Sequence, residues 1–275
     1  RGILGLRFTH AECPALMVQR AHAVACFPGK GPRFMSSNSQ QRICVVTGAS
    51  SGIGLDTAKM FLQDGWTVHN ISRSPCELDE VSNHRYDLSE PDQAEEAGKE
   101  IADVVKGKGG AMLSLIHNAS MHGEDTVRQF NRKYFTDTYN IGVVSPGLLT
   151  AQLLPYMLPG SSVIFIGSTL SEQAVAGRAS YVTTKHAVVG LMRSYTQDLF
   201  GSGVHSVCIC PGFTDTPMLR KALDQFEGAD EFIRQKVSVG RLIGSDEIAK
   251  LVKFAALNPS VNGSVIHANG GQKQT

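Results

Sequence analysis

From Arg42 onward, short apolar runs alternate with stretches of helical periodicity, and this alternation restricts the fold more than any other feature of the chain. Residues 43–47 and 66–71 have the composition of buried strands, and residues 53–63 between them have the period of a helix. Such a unit is a βαβ crossover, which joins parallel strands. The pattern therefore predicts an α/β fold with a doubly wound parallel sheet that binds a ligand at the carboxyl ends of its strands.

The alternation continues without an internal repeat or a linker rich in Pro, Gly and Ser. Further helices are predicted at 92–105, 138–156, 181–200 and 245–257, and further strands at 111–117, 162–167, 204–210 and 264–267. We expect about seven strands, flanked by helices, in a single domain that spans residues 35–275.

Residues 1–34 do not share this pattern. They hold five Lys and Arg residues against one acid, Glu12, a composition typical of transit peptides. Met35, however, opens a polar lead-in to the first strand, as a natural start would. We expect a leader that is an added or translated extension, in which case the protein is cytoplasmic. The alternative is a mitochondrial presequence and a matrix location.

The overall charge excludes some partners. The chain has 26 Lys and Arg residues against 25 Asp and Glu residues, a net charge of +1, so no electrostatic argument favours a nucleic-acid or acidic-membrane binder. The uncharged stretch 141–171 is long enough to cross a bilayer. Because Pro146, Pro155 and Pro159 interrupt it, we expect a broken helix followed by a strand and no transmembrane segment.

The cysteines show neither paired spacing nor a regular framework, which indicates free thiols in a reducing compartment and predicts no metal site. They are Cys13, Cys26, Cys44, Cys76, Cys208 and Cys210.

The sequence Thr-Gly-Ala-Ser-Ser-Gly-Ile-Gly at 47–54 lies where the first predicted strand leads into the first helix. There Gly48 permits a tight turn, Gly52 lets a pyrophosphate approach the backbone, and Gly54 allows the helix to pack closely on the strand. An ordinary βα turn is the alternative, but this position in the first βαβ unit favours a dinucleotide cofactor. The candidate contacts in the loop are Gly48, Ser50, Ser51, Gly52, Ile53 and Gly54.

The end of the second strand bears on the choice of cofactor. No acid occurs between Trp66 and Cys76 to bind a ribose 2′-hydroxyl, whereas Arg73 is well placed for a 2′-phosphate. We therefore predict NADP(H). The alternative is that Arg73 is a solvated loop cation, since Ser51 stands where a second basic residue would support the first. After the third strand, Asp87, followed by Leu88, either orients the adenine or caps the next helix.

Tyr181 and Lys185 are four residues apart in a predicted helix, so they share one face. A phenol of ordinary pKa about 10 is a poor proton donor and acceptor at neutral pH, and a fixed cation beside it stabilises the phenolate form. Such a pair alone is commonplace. Ser168, however, follows a predicted strand 13 residues upstream of Tyr181, where its hydroxyl could bind the same carbonyl oxygen.

From about Arg42 to its end, the chain resembles a single-domain short-chain dehydrogenase/reductase. The matching features are the glycine loop, Asn118-Ala119, Asn140, Ser168, Tyr181, Lys185, and Pro211-Gly212 followed by Thr216, in the family's order and spacing. The resemblance implies a Rossmann-type fold.

The resemblance also implies roles for these residues. Tyr181 is the general acid/base and Ser168 positions the substrate carbonyl. Lys185 also binds the nicotinamide ribose, and Asn140 holds a water in a proton relay to Lys185. Residues that follow strands bind the cofactor: Asn118 and Ala119 on the adenosine ribose side, and Pro211, Gly212, Thr214 and Thr216 at the nicotinamide and pyrophosphate.

Two features depart from the family pattern or extend it. The family's usual Asn-Asn-Ala-Gly is His117-Asn118-Ala119-Ser120 in this chain, so either His117 and Ser120 line the site or the change is a tolerated turn variant. Apolar residues after Thr216 suggest a lid over the substrate, with simple helix packing as the alternative. They are Met218, Leu219, Leu223, Phe226 and Phe232.

We therefore expect an NADPH-dependent reductase of a ketone, for which a 3-oxoacyl chain is one candidate. The alternatives are an NAD(P)-dependent alcohol, steroid or sugar dehydrogenase working in the oxidative direction, and a non-catalytic sensor or scaffold that binds the cofactor. The resemblance further implies a homo-oligomer, a tetramer or a dimer, formed through the helices that begin near Asn140 and Tyr181.

Overall fold

The computed structural model describes residues 41–107, 109–223 and 227–272. Residues 1–34, for which a leader is expected, lie outside the described residues, as does Phe226 of the expected lid. The strands in chain order are Arg42–Thr47 (β1), Thr67–Ser72 (β2), Val81–Arg85 (β3), Met112–His117 (β4), Ser162–Ile166 (β5), His205–Pro211 (β6), Thr214–Asp215 (β7), Ile243–Gly244 (β8) and Val265–Ala268 (β9).

Seven of these strands form one sheet in the order β3-β2-β1-β4-β5-β6-β9, and all of its pairings are parallel. The two short strands β7 and β8 pair with each other. The chain leaves β1 in one direction toward β3 and returns to the other side of β1 at β4. This reversal opens a crevice at the carboxyl ends of β1 and β4.

The helices are Gly52–Gln63 (α1), Pro91–Lys106 (α2), Arg132–Tyr139 (α3), Ser145–Leu153 (α4), Ala179–Asp198 (α5), Pro217–Leu223 (α6), Ala229–Lys236 (α7) and Ser245–Leu257 (α8). None of the helices in the described part of the chain has the length and apolar character that a membrane span requires.

Both faces of the sheet are covered by helices, and each face has its own hydrophobic core. Alternate side chains of a strand therefore pack into different cores. In β1, Ile43 and Val45 pack with residues of α2, α4 and α5, whereas Cys44 and Val46 pack with residues of α1 and α8. This explains the continuous apolar run from which β1 was predicted. The predicted α/β fold, a Rossmann-type doubly wound sheet of about seven strands, is confirmed.

The prediction of one continuous helix at 138–156 is wrong, because the helix is broken. The chain forms α3, then a π-helical turn at Asn140–Val144, then α4, and ends in a 3₁₀ turn at Leu154–Tyr156. Pro146 lacks the amide hydrogen that a continuous α-helix would need at that position, and the Ser145 amide bonds instead to the carbonyl of Asn140, five residues back. The proline therefore accounts for the break, which lies beside the site described next.

Candidate active site

The loop between β1 and α1 forms a cradle that only glycine permits. Gly48 and Gly52 have φ angles of 74° and 56°, in the left-handed region. A Cβ on Gly54 would lie 2.2 Å from the carbonyl oxygen of Gly48 and 2.5 Å from the side-chain nitrogen of Asn118. Ser51, the N-cap of α1, makes no side-chain cap bond. The first amides of this helix therefore face the crevice as donors for an anion.

Two polar side chains fix the crevice between β1 and β4. Asn118 donates from Nδ2 to the carbonyls of Thr47 and Gly48, both at 3.0 Å. The hydroxyl of Thr47 in turn accepts the amides of Asn118 at 3.0 Å and Ala119 at 2.9 Å. These bonds tie the end of β4 to the start of the glycine loop.

Asn70 on β2 is a positioning residue that the sequence analysis missed. It is 1% exposed, accepts the amide of Ala49 in the glycine loop at 2.9 Å and donates to Asn83 on β3 at 2.9 Å. A polar residue in the middle of an otherwise buried strand was the available signal, because such a group must find a partner.

A second loop completes the cradle. Thr216 accepts the amide of Leu219 and so begins α6, while its methyl group would lie 3.0 Å from a Cβ on Gly52. Gly212 donates its amide to Ala268 on β9, and Thr214 donates its hydroxyl to the carbonyl of Gly212 at 3.1 Å. The loop after β6 is thereby held against the loop after β1.

At the outer end of the crevice, Arg73 and Asp87 face each other, with Nη1 and Oδ2 3.8 Å apart. The other carboxylate oxygen of Asp87 accepts the amide and the hydroxyl of Ser89 at 2.9 and 2.8 Å. Burial raises the pKa of Asp87, but the bonds from Ser89 and the charge of Arg73 outweigh this effect and hold the pKa below its ordinary value. Asp87 thus closes the turn before α2, whose N-cap is Glu90, and also faces the crevice.

At the inner end lie Ser168, Tyr181 and Lys185. Lys185 is 4% exposed, donates from Nζ to the carbonyl of Ile166 at 2.8 Å and lies 5.5 Å from the centre of the Tyr181 ring. The Ser168 hydroxyl oxygen accepts the amide of Leu170 at 3.1 Å. Since that bond uses a lone pair, the hydroxyl proton of Ser168 remains available for a carbonyl oxygen.

These groups line one cavity of about 740 Å³. Every predicted site residue lines it except Gly54 and Asn140: Gly48, Ser50, Ser51, Gly52, Ile53, Arg73, Asp87, Leu88, Asn118, Ala119, Ser168, Tyr181, Lys185, Pro211, Gly212, Thr214 and Thr216. Gly54 lies behind the glycine loop. Asn140 belongs to the π-helical turn and donates its side-chain amide to the carbonyl of Ser89 at 2.8 Å.

The two residues of the 117–120 segment that differ from the family pattern have different positions. Ser120 lines the cavity, whereas His117 is 5% exposed and lies in the core, where its ring packs on Phe165 at 5.0 Å and Nε2 is 3.0 Å from the Thr150 hydroxyl. Burial lowers the pKa of His117 to about 3. The ring is therefore neutral at physiological pH.

Residues missed by the sequence analysis also line the inner end of the cavity. The ring of His122 meets that of Tyr181 edge-on, 5.7 Å between centres, and Arg178 lies at the start of α5. Burial, followed by the charge of Arg178, lowers the pKa of His122. Met218, Leu219, Leu223 and Phe232 of the expected lid line the same end.

The thiols of β6 lie close to the site but outside the cavity lining. Cys208 and Cys210 point to the same side of the strand with their sulfur atoms 3.9 Å apart. The bond with Cys210, together with burial, raises the pKa of the Cys208 thiol. Cys44, Cys76, Cys208 and Cys210 are free and buried; Cys13 and Cys26 lie outside the described residues. No cluster of three or more metal-ligating side chains occurs within the described ranges.

The residues present fit a dinucleotide. The cradle that a Cβ on Gly54 would fill and the uncapped start of α1 suit a pyrophosphate, and the cavity continues from there to Tyr181 and Ser168. A nicotinamide bound at that end would supply or accept a hydride.

Comparisons with known proteins agree with this geometry. The short chain dehydrogenase family model matches residues 42–227. The chain is 26% identical to the 3-oxoacyl-(acyl-carrier-protein) reductase FabG of Thermotoga maritima, over 84% of this chain and 97% of that protein. It is 30% identical to the 2-(R)-hydroxypropyl-CoM dehydrogenase of Xanthobacter autotrophicus, over 83% of this chain and 97% of the relative.

The fold is also found in solved structures. The ligand-free aldohexose dehydrogenase of Thermoplasma acidophilum superposes with a TM-score of 0.75 at 24% identity, over 84% of this chain and 94% of that one. The match of the family model to residues 42–227 shows that the chain belongs to the short-chain dehydrogenase/reductase family, whose members are oxidoreductases that bind NAD(P).

Proposed function

We propose that the protein reduces a ketone with NADPH and that Tyr181 is the proton donor. The observation that carries this proposal is the meeting of Tyr181, Lys185 and Ser168 at the inner end of a cavity that begins at the glycine loop. A 3-oxoacyl compound is one candidate substrate.

Each of the three side chains has a separate task. The free hydroxyl proton of Ser168 binds the carbonyl oxygen and holds it beside the phenol of Tyr181. Tyr181 gives its proton to that oxygen while hydride reaches the carbon. Lys185 is held by the Ile166 carbonyl beside the phenol ring, where its charge stabilises the phenolate that is left.

Proton return to Tyr181 is proposed to pass through Lys185 and a water near Asn140. Its support is the position of Asn140 in a π-helical turn, where a main-chain carbonyl lies off the regular helical bonding pattern. The Asn140 side chain donates from Nδ2 to the carbonyl of Ser89, which leaves its Oδ1 as the acceptor for that water.

Replacing Tyr181 by Phe tests the proposal. Tyr181→Phe keeps the ring beside His122 but removes the transferable proton, so we expect unchanged NADPH binding by fluorescence titration and a loss of kcat of about 10²- to 10⁴-fold. Tyr156→Phe, which removes one oxygen outside the cavity lining, should leave kcat unchanged. Persistent turnover in Tyr181→Phe would overturn the mechanism, and wild-type protein that binds NADPH but turns over no carbonyl or alcohol would favour the sensor or scaffold.

The same residues can run the reaction in reverse, with the Tyr181 phenolate taking the proton of an alcohol, steroid or sugar. We propose the reductive direction because Arg73 favours NADPH, a cofactor kept mostly reduced in cells. Initial rates measured in both directions at pH 7 distinguish the two, and a faster oxidative rate would support the alternative.

The preference for NADP(H) rests on Arg73. Its guanidinium lines the cavity opposite Asp87, and the described lining holds no acid other than Asp87. Arg73→Gln should raise the KM for NADPH by about tenfold, since a hydrogen bond to a charged group is worth about 1.5–3 kcal/mol, with little change for NADH. Arg193→Gln, at an exposed position on α5 outside the lining, is the matched control. An equal or lower wild-type KM for NADH would contradict the assignment.

We also propose that the protein is a cytoplasmic homo-oligomer, with a tetramer favoured over a dimer. Exposed apolar side chains just before α3 support this assembly: Phe130 is 53% exposed and Val127 is 89% exposed. The ring of Phe130 contacts that of Phe135, which stacks on Tyr139 along α3. Exposed apolar surface of this kind suits burial by another copy.

Buried free thiols fit a reducing compartment. Imaging of the native protein distinguishes the cytoplasm from the mitochondrial matrix.

A further inference from the structure

The inner end of the cavity holds a cation that the proposed chemistry does not use. Arg178 is the N-cap of α5 and stands three residues before Tyr181, which places the two side chains on neighbouring parts of one helix surface. Both line the cavity. The Arg178 side chain is 20% exposed, so its charge is largely shielded from water.

The existing partners of Arg178 leave part of its guanidinium free. Nη1 donates to the Gly123 carbonyl at 2.6 Å, and Nη2 donates to Glu124 at 3.0 Å. A guanidinium has five N–H donors, and the remaining ones have no bond to a described residue. The Glu124 carboxylate is 79% exposed, so this ion pair is weak, at about 0–1 kcal/mol.

No acid of the described cavity lining pairs with Arg178. Among the described residues that line the cavity, the only acid is Asp87, which faces Arg73 at the outer end. Asp125 is buried close by, but its two oxygens accept the amide and the hydroxyl of Ser180. His122, whose pKa is lowered by burial and by Arg178, adds no charge at neutral pH. The lining at the substrate end therefore carries two cations, Arg178 and Lys185, and no acid among its described residues.

The remaining wall at this end is apolar, formed by Val175, Met218, Leu219 and Phe232. Leu219 and Phe232 are partly buried, so an anion beside Arg178 would pair with the guanidinium more strongly than at a fully exposed surface. A guanidinium can bind two oxygens of a carboxylate or of a phosphate, but its single charge equals that of a carboxylate and not the double charge of a phosphate.

We propose that Arg178 binds a carboxylate of the substrate, so that the compound reduced is a short oxo acid rather than an ester or thioester. This inference rests on the proposed function, because it requires the carbonyl to lie at Ser168 and Tyr181. It makes Arg178 a specificity residue, distinct from the groups that transfer the proton.

The test compares 3-oxobutanoate with its methyl ester, which differ in the charge and in one methyl group at the far end. In the full-length wild-type protein with NADPH, we expect the acid to have the lower KM. Arg178→Gln should raise the KM for the acid by about 10- to 100-fold, the range of a hydrogen bond to a charged group, and change the KM for the ester by less than about twofold. Glu124→Gln, which releases the guanidinium, should leave the KM for the acid equal or lower.

The ester separates this role from a structural one. Arg178 also holds the 121–125 segment through Gly123, and a loss of that support would raise both KM values together. Equal effects on acid and ester, or a wild-type preference for the ester, would overturn the inference. Arg178→Lys retains the charge without the planar fork and should fall between wild type and Arg178→Gln for the acid alone.

Butyrate, an acid without a reducible carbonyl, provides a readout that does not depend on turnover. Calorimetric titration of butyrate into the protein with NADP⁺ should show binding in the wild type and a loss of affinity of about tenfold or more in Arg178→Gln. Butyrate binding without turnover of any substrate would contradict the proposed function but support the anion site. Turnover of the ester without butyrate binding would contradict the anion site alone.

Discussion

At the scale of single residues, the site depends on side chains that hold the backbone as much as on those that perform chemistry. Thr47, Asn70 and Asn118 together fix the glycine loop through hydrogen bonds of 2.9–3.0 Å. None of the three has a group that could transfer a proton at neutral pH. Their contribution is to position the loop, because buried amides and carbonyls must be paired to be stable.

At the same scale, the buried His117 leads to a prediction about how folding stability depends on pH. Burial lowers its pKa to about 3 in the folded protein, against about 6.5 in an unfolded chain. As pH falls below about 6.5, the unfolded chain takes up a proton that the folded protein refuses, so this group makes folding less stable toward acid. Between pH 6.5 and 4.5 its share of the loss is about 2 kcal/mol.

Asparagine, the usual residue of the family at position 117, provides the test. His117→Asn removes the titrating group, so its free energy of unfolding, measured with urea at fixed protein concentration, should fall less between pH 6.5 and 4.5 than that of the wild type. The exposed His186→Asn is the matched control and should follow the wild-type curve. Parallel curves for His117→Asn and the wild type would show that the buried ring does not set the acid sensitivity.

At the scale of elements, the site is built where α1 meets the ends of β1 and β4. The start of α1 can approach the loop only because position 54 lacks a side chain: a Cβ there would lie 2.2 Å from the Gly48 carbonyl. The identities of these glycines, the strand before them and the helix after them are local properties, so the sequence predicted this junction. The bonds from Asn70 and Asn118 join residues 21 and 70 positions apart, and no local pattern indicates them.

Gly54→Ala tests the junction. The backbone carbonyl of Gly48 and the bonded amide of Asn118 cannot both move aside, so we expect a loss of stability on the order of 2–4 kcal/mol and weakened NADPH binding. Differential scanning fluorimetry and NADPH titration measure the two effects. Gly107→Ala, at a position with φ of −57° and no atom nearer than 3.5 Å to the added Cβ, should change neither. A Gly54→Ala variant with wild-type melting temperature and affinity would contradict the steric argument.

At the scale of the whole molecule, one cavity runs from the exposed Arg73 and the partly buried Asp87 to the buried Lys185. Its two ends carry cations of different exposure, since the side chain of Arg73 is 68% exposed and that of Arg178 is 20% exposed. This difference matches the proposed tasks, contact with a solvated cofactor phosphate at one end and with an enclosed substrate carboxylate at the other.

The assembly prediction belongs to this scale. Light scattering on purified protein should give the mass of a homotetramer, because one copy leaves Val127 and Phe130 exposed beside α3. Replacing both by Asp should lower the mass without unfolding the chain, as measured by circular dichroism, while Phe254→Asp, at an exposed position on α8, is the control. A monomeric wild-type mass would contradict the prediction.

The sequence alone predicted the βαβ alternation and the glycine loop, because hydrophobic period and backbone freedom are local properties of the chain. It singled out Ser168, Tyr181 and Lys185 through spacing together with the family resemblance. It did not show the break between α3 and α4 or the partners of Asn70. It gave no sign of Arg178, which in sequence is one arginine in a polar turn. Only the tertiary structure brings that side chain into the cavity beside Tyr181, since the burial and pairing of a charge depend on what distant segments place around it.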